Sequence, residues 1–193
     1  GTLKRTVFFT DSRAKKNVTV FDTTLRDGEQ TPGISFTREE KFGIAEHLSN
    51  IGVHTIEAGF PASSAAEHEI VRAIKGLGLS AQVCGLARSL PADVDVCIDC
   101  DVDMVHVFIP TSDVQREYTI KKTREQVLTA TGDIIAYVRD HIGRCMFSAM
   151  DATRTDWDYL MEVYRVAVDA GATIINVPDT VGVITPTAMK HLI

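Results

Sequence analysis

The stretch MVHVFIPTSDVQREYTIKKTREQVLTATGDIIAYVRDHIGRCMFSAM, residues 104–150, contains one complete repeat of the pattern that decides the fold. It begins with a short apolar run (104–109) and continues with a long amphipathic segment, Arg124 to His141. After Gly143 it returns to a second apolar run (145–150). A strand, a crossover helix and another strand in this order form a β/α unit. Both runs are almost continuously apolar, which is typical of parallel strands buried on both faces.

The same alternation extends in both directions along the chain. It predicts six strands: VTVF (18–21), HTIEAGF (54–60), AQVCGLA (81–87), MVHVFI (104–109), CMFSAM (145–150) and TIINVP (173–178). Predicted helices cover 65–75, 92–99, 124–141 and 157–170, with a first helix that follows a capping box of Thr37 and Glu40 and a last one that starts near Thr185. The sequence therefore predicts an α/β fold, either an open doubly wound sheet or most of a (β/α)8 barrel.

Polar residues at the ends of the strands favour the barrel. They occur within or just after every predicted strand, and a set on each strand is typical of one site at the top face of a closed or nearly closed barrel. These residues are Asp22, Arg26, Asp27, Glu57, Arg88, His106, Ser148, Asp151, Asn176, Asp179 and Thr180.

Composition excludes several classes of function. The 193 residues carry a net charge of −6 and are 45% hydrophobic, which indicates a globular protein without general attraction for nucleic acid. No apolar run approaches the roughly 20 residues of a membrane span, and the start has no secretory signal. The four cysteines indicate a reducing, cytoplasmic compartment. We interpret the one C-x-x-C pair, Cys97 and Cys100, as structural thiols on a helix.

The densest polar cluster is FDTTLRDGEQTPG, residues 21–33. Its core, DTTLRDGEQ, resembles the signature of the metal-dependent acyl-CoA condensing and cleaving barrels, which include 2-isopropylmalate, homocitrate and citramalate synthases and hydroxymethylglutaryl-CoA lyase. Further segments resemble the same family in the same order: EAGFPASS (57–64), CGLAR (84–88), HVFIPTSD (106–113), KKTREQVL (121–128), FSAMDATRTD (147–156) and NVPDTVG (176–182).

The resemblance implies a (β/α)8 TIM barrel, of which this chain carries about six βα units. It also implies an acyltransferase that joins acetyl-CoA to a 2-oxo acid in a Claisen condensation. Closest in pattern are the 2-isopropylmalate synthases of leucine biosynthesis, with 2-oxoisovalerate as substrate, and homocitrate and citramalate synthases are the alternatives. The resemblance further implies acetyl-CoA as co-substrate, a divalent metal (Mg²⁺, Mn²⁺ or Zn²⁺), and a second copy in a homodimer.

The resemblance also assigns roles to individual residues. Asp27 is the expected metal ligand, and Arg26 is the expected catalytic cation that stabilises the developing negative oxygen. The expected 2-oxo acid pocket is lined by Gln30, Arg88, His106, Ser148, Asn176 and Thr180. Among the candidates, Asn176 and Glu57 are the weaker ones.

Two features depart from the family pattern. The chain has no H-x-H pair, which the family places on strand seven, so we expect an extension (1–17) followed by a partial catalytic barrel (18–193) that lacks strands 7 and 8. We expect this piece to belong to a longer protein and to be inactive alone. Met150 stands where the family has glutamate, which raises the alternative of a non-catalytic barrel that binds a 2-oxo acid or acyl-CoA. If the position has a role, Met150→Glu in the full-length protein raises turnover.

Overall fold

The computed structural model describes residues 18–193, and the expected extension 1–17 lies outside them. Six parallel strands pair in chain order, from β1 to β6, and curl into part of a (β/α)8 barrel. The strands are β1 (Phe21–Asp22), β2 (Thr55–Gly59), β3 (Gln82–Arg88), β4 (Met104–Pro110), β5 (Cys145–Met150) and β6 (Ile174–Asn176). The helices are α1 (Arg38–Asn50), α2 (Ala65–Lys75), α3 (Pro91–Asp99), α4 (Asp113–Gln115), α5 (Arg124–His141), α6 (Trp157–Ala170) and α7 (Pro186–Leu192).

Local sequence signals set most of these boundaries. The predicted bounds of β5, α2, α5 and α6 are confirmed. The capping box is also confirmed, because Thr37 Oγ1 accepts from the Glu40 backbone N–H at 3.2 Å and Glu40 Oε2 accepts from the Thr37 N–H at 2.8 Å. In the last helix Pro186 occupies the first turn, where its missing N–H costs no hydrogen bond.

The first strand differs from the prediction of 18–21. Its ladder covers Phe21–Asp22, and Val18 and Val20 remain exposed. Among the described residues β1 pairs only with β2, so the apolar residues before it have no second neighbour to bury them. At the other end of the sheet, β6 is shorter than the predicted 173–178. The short α4 and the π-helical turn that follows it, Arg116–Ile120, were not predicted.

Apolar residues pack against both faces of the sheet, in two separate groups. The larger group fills the space between strands and helices and includes Val83, Val107 and Phe147. A smaller group forms an apolar floor within the barrel, from Cys84, Met104 and Met146 with Phe21 and Ile174 packed against them. Because side chains alternate along a strand, the residues two positions further on face the same interior. The sheet thus places His106, Ser148 and Asn176 directly above the apolar floor.

The C-x-x-C pair lies at the end of α3, and both thiols are buried and free. Burial raises the pKa of Cys100 to about 11, and it raises the pKa of Cys97 further. Neither thiol is therefore a nucleophile at neutral pH. In the part of the chain that the structure describes, no helix combines the length and apolar character that a membrane crossing needs.

Candidate active site

A row of hydrogen-bonded polar side chains crosses the barrel interior above the apolar floor. His106 on β4 donates its Nδ1–H to Oε1 of Glu57 on β2, at 2.5 Å. The other ring nitrogen, Nε2, lies 2.6 Å from the hydroxyl of Ser148 on β5. Asn176 on β6 donates its Nδ2–H to the same hydroxyl at 2.7 Å. The structure therefore joins residues from four strands into one network, which we call the interior row.

Arg26 and Asp27 continue this row into the first loop, residues 23–37. Arg26 contacts Glu57 Oε2 through Nε and Nη2, each at 2.7 Å, and its Nη1 donates to Asp27 Oδ1 at 2.7 Å. The Arg26 side chain is 18% exposed, whereas that of Asp27 is 62% exposed. A fixed guanidinium thus lies between a buried carboxylate and one that faces solvent.

Burial and charge act in opposite directions on Glu57. Burial alone would raise its pKa, but the hydrogen bond to His106 and the positive charge of Arg26 outweigh this and lower the pKa. Glu57 is therefore ionised at neutral pH and can only accept hydrogen bonds. The Glu57 carboxylate therefore accepts from the Nδ1–H of His106, whose Nε2 lies within hydrogen-bond distance of the Ser148 hydroxyl. With Asn176 donating to the same hydroxyl, the interior row is continuous from β6 to β2.

A second network joins the loops that follow β4, β5 and β6. Asp151 is fully buried and has a left-handed backbone, with φ of 66°. Its carboxylate accepts from Arg154 and from Ser112, and its backbone N–H donates to Thr180 Oγ1 at 2.9 Å. Burial would raise the pKa of Asp151, but its contacts with Arg154 and Ser112 lower it. Thr180 is exposed and is fixed by this network instead of the interior row.

Besides Thr180, two further predicted pocket residues, Arg88 and Gln30, lie outside the interior row. Arg88 donates from Nε and Nη2 to the Asp93 carboxylate at 2.7 and 2.9 Å, and its side chain is 54% exposed. Gln30 is exposed at the end of a 3-10 turn, and its side chain has no hydrogen-bond partner within residues 18–193. Their assignment to the pocket stays a prediction.

With this geometry in place, comparison with known proteins identifies the family. The family model described as HMGL-like matches residues 17–193. The chain belongs to the HMGL-like family. Among its relatives, a probable 2-isopropylmalate synthase of Methanosarcina mazei is 56% identical over 193 residues, which are 100% of this chain and 37% of the relative. Homocitrate synthase AksA of Methanopyrus kandleri is 49% identical over 173 residues, 90% of this chain and 45% of the relative.

A solved structure supports the fold. The hydroxymethylglutaryl-CoA lyase of Pseudomonas aeruginosa superposes with a TM-score of 0.76 at 22% identity, over 92% of this chain and 62% of that one. The HMGL-like chain thus has six βα units of a (β/α)8 barrel, as the sequence predicts, and it spans little more than a third of the 2-isopropylmalate synthase it matches.

The HMGL-like resemblance implies a divalent metal, and Asp27 is the described residue that fits one. Residues 18–193 contain no cluster of three or more histidine, cysteine or acidic side chains that could hold a metal together. The Asp27 carboxylate is exposed and uses one oxygen to bind Arg26, and its other oxygen accepts no hydrogen bond from the described residues. Mg²⁺ is often held by one or two carboxylates together with substrate oxygens, so this arrangement fits such an ion.

Glu57 is more central to the row than its sequence context indicates, and a second charged cluster was not predicted from the sequence. Lys41 on α1 is 2% exposed and contacts Glu29 of the first loop and Glu67 of α2. Helical spacing is the signal that could have identified Lys41. The buried positions of α1 are 41, 45 and 49, so a lysine occurs on the face of the helix that packs inward.

Proposed function

We propose that this chain is the barrel portion of a 2-isopropylmalate synthase-like acyltransferase. The reaction is a Claisen condensation of acetyl-CoA with a 2-oxo acid, 2-oxoisovalerate in the favoured case, followed by hydrolysis of the thioester. Support comes from the HMGL-like family and from the 56% identity to a probable 2-isopropylmalate synthase. Leucine biosynthesis, a cytoplasmic location and a homodimer belong to the same proposal.

The observation that carries the proposal is the placement of Arg26. Its guanidinium is fixed from two sides, by the buried Glu57 and by the exposed Asp27, at the ends of the strands. A guanidinium does not lose its proton in the protein, so it remains a cation throughout the reaction. In this position Arg26 stabilises the negative oxygen that develops on the enolate and on the ketone under attack.

The chain would hold a divalent metal through Asp27 and the 2-oxo acid through the interior row and Thr180. When bound, the metal supplies Lewis-acid polarisation of the ketone. The Thr180 hydroxyl oxygen already accepts from the Asp151 N–H, so its proton is free to donate to the substrate carboxylate. His106, Ser148 and Asn176 are held by hydrogen bonds to one another before substrate arrives, and this lowers the cost of ordering them.

Homocitrate synthase is the second candidate, because a relative of that name is 49% identical. The two activities differ in the distal group of the 2-oxo acid. An isopropyl group requires an apolar pocket, whereas a second carboxylate requires a cationic or hydrogen-bonding partner. Arg88 is the candidate for such a partner, but its guanidinium is already paired with Asp93. This pairing supports the apolar substrate.

The experiment that tests the proposal measures thiol release from acetyl-CoA by full-length protein. The 2-oxo acids are 2-oxoisovalerate, 2-oxoglutarate and pyruvate, each with Mg²⁺, Mn²⁺ and Zn²⁺. We expect the highest kcat/KM with 2-oxoisovalerate. Arg26→Lys is the matched variant, since it retains the charge but loses the planar fork, and we expect it to lower kcat. If no 2-oxo acid gives thiol release with any metal, the synthase proposal is wrong.

A further inference from the structure

The first loop is held from outside the barrel by a buried ion cluster. Lys41 Nζ lies 2.7 Å from Glu29 Oε2 and 3.2 Å from Glu67 Oε2, and these residues come from α1, the first loop and α2. The Lys41 side chain is 3% exposed, and those of Glu29 and Glu67 are 24% and 18% exposed. A buried ammonium with two carboxylates is a fixed contact, unlike an exposed ion pair.

The end of β2 is shaped to accommodate this cluster. A Cβ atom at Gly59 would overlap Glu67 Oε1 and would lie 3.0 Å from Val71 Cγ2. The register between β2 and β3 also shifts between Glu57 and Gly59. Only glycine leaves room for the Glu67 carboxylate at this point, so the EAGF segment supports both sides of the first loop. Glu57 holds it from the inside, and Gly59 makes space for its outer anchor.

Glu29 connects the Lys41 cluster to the loop residues that face the site. Its Oε1 accepts from the Phe36 N–H at 3.1 Å, which closes the loop on itself. Glu29 is also the middle residue of a 3-10 turn, Gly28–Gln30, in which the Gln30 N–H donates to the Asp27 carbonyl. The position of Glu29 therefore fixes the backbone of Asp27 on one side and of Gln30 on the other.

The Lys41 ammonium keeps its charge at neutral pH. Burial would lower the pKa of Lys41, but the hydrogen bond with Glu29 and the charge of Glu67 raise it above its ordinary value. Two carboxylates around one ammonium leave the cluster with a net negative charge. Loss of Lys41 would leave two partly buried carboxylates facing each other, and the repulsion would act directly on the first loop.

We propose that Lys41 is a positioning residue that holds the first loop, and with it Asp27 and Gln30, in the geometry that binds the divalent cation. Its role in binding rests on the proposed function, in which Asp27 is a metal ligand. Its role in holding the loop does not. The two parts can therefore be tested separately in the same full-length protein.

The loop is tested by hydrogen exchange of the peptide that covers residues 28–36. We compare Lys41→Met and Glu29→Gln with Lys75→Met as the matched control. Lys75 on α2 pairs with Asp103 at 2.5 Å and forms no ion pair or hydrogen bond with the first loop among the described residues. We expect faster exchange of this peptide in the first two variants and wild-type exchange in the control. Glu29→Gln removes one charge and retains an acceptor for Phe36, so it keeps the test valid if Lys41→Met does not fold.

Binding is tested with Mn²⁺ alone, by electron paramagnetic resonance. Substitutions that disturb the support of a metal ligand typically weaken affinity 10- to 100-fold, and we expect about ten-fold for Lys41→Met and for Glu29→Gln. Lys75→Met should bind Mn²⁺ as the wild type does. Wild-type exchange in residues 28–36 of a folded Lys41→Met or Glu29→Gln protein overturns the proposal. A looser loop in protein that releases no thiol from acetyl-CoA would instead overturn the proposed function and leave the role of Lys41 in the loop intact.

Discussion

The centre of the sheet and its two edges differ in what their residues do. Strands β2 to β5 have five to seven residues each, whereas β1 has two and β6 has three. Glu57, His106 and Ser148, on central strands, are 0%, 5% and 4% exposed. The Asp27 side chain, beyond β1, is 62% exposed, and Thr180, beyond β6, is also exposed.

This difference in burial predicts that only the central residues contribute strongly to stability. Buried polar groups in the centre require partners, because a lone buried charge or donor is costly. Each member of the interior row therefore fixes its neighbours and contributes to folding. The residues at the edges have oxygens or protons that make no hydrogen bond within the described chain and can bind a ligand. Substitutions in the centre should change stability as well as substrate binding, and substitutions at the exposed edges should change binding and turnover with little effect on stability.

The largest effect is expected for Glu57→Ala. It leaves Arg26 and His106 without their shared carboxylate inside the barrel, and breaking such a buried pair costs about 3–5 kcal/mol. Denaturant unfolding of the full-length protein measures this loss. Glu46→Ala, on the exposed face of α1, is the control and should stay within about 0.5 kcal/mol of wild type. Equal losses in the two variants would remove the distinction between centre and edge.

At the edge, Asp27→Asn should lower activity and leave stability almost unchanged. It retains the shape of the side chain and removes the charge, so we expect kcat/KM to fall by about 100-fold or more through lost metal affinity. The free energy of unfolding should change by less than about 0.5 kcal/mol, because the side chain is mostly in solvent. Thiol-release kinetics and denaturant unfolding are measured on the same sample. An active variant with weakened stability would contradict this assignment.

The pH dependence of stability provides a smaller test of the central row. Because the folded pKa of Glu57 is lowered from its ordinary value of 4.5, the ionised form stabilises the protein above that value. This contribution is lost as the pH falls through the folded pKa. Wild type should lose stability more steeply than Glu57→Gln between about pH 5 and pH 3. Parallel curves for the two proteins would show that Glu57 does not titrate as its contacts indicate.

The smallest effect is expected for Met150→Glu, at the end of β5. The Met150 carbonyl accepts from the N–H and the hydroxyl of Thr111, so the backbone at this position is fixed independently of the side chain. A carboxylate here restores the charge that the family pattern has, and we expect a modest rise in turnover without a change in stability. Steady-state thiol release by full-length protein measures it, with Met150→Gln as the uncharged control. An unchanged rate would argue against a role for this side chain.

Much of the fold could be predicted because it depends on local signals. Apolar runs, the Thr37 capping box and Pro186 are readable in sequence, and they placed the central strands and most helices. The edge strands were less predictable. Whether Val18 and Val20 join a ladder depends on neighbours in space and not on their own β-propensity.

The candidate site could be predicted only in part. The sequence and its family resemblance selected His106, Ser148, Asn176 and Arg26, which the structure joins into one row. It gave Arg88 the same weight, although Asp93, five residues later, binds its guanidinium. The pairing of Lys41 with Glu29 and Glu67 spans up to 26 residues, and no local pattern specifies such partners.

The sequence by itself determined the class of fold, the family and the residue types at the strand ends, because apolar periodicity and short motifs act over a few residues. The tertiary structure alone decided which charges meet. Glu57 became the centre of the site because the curvature of the sheet brings β2 opposite His106 of β4 and beneath Arg26 of the first loop. Ionic and hydrogen-bonding contacts depend on distances of a few ångströms between residues far apart in the chain, and only the folded backbone sets those distances.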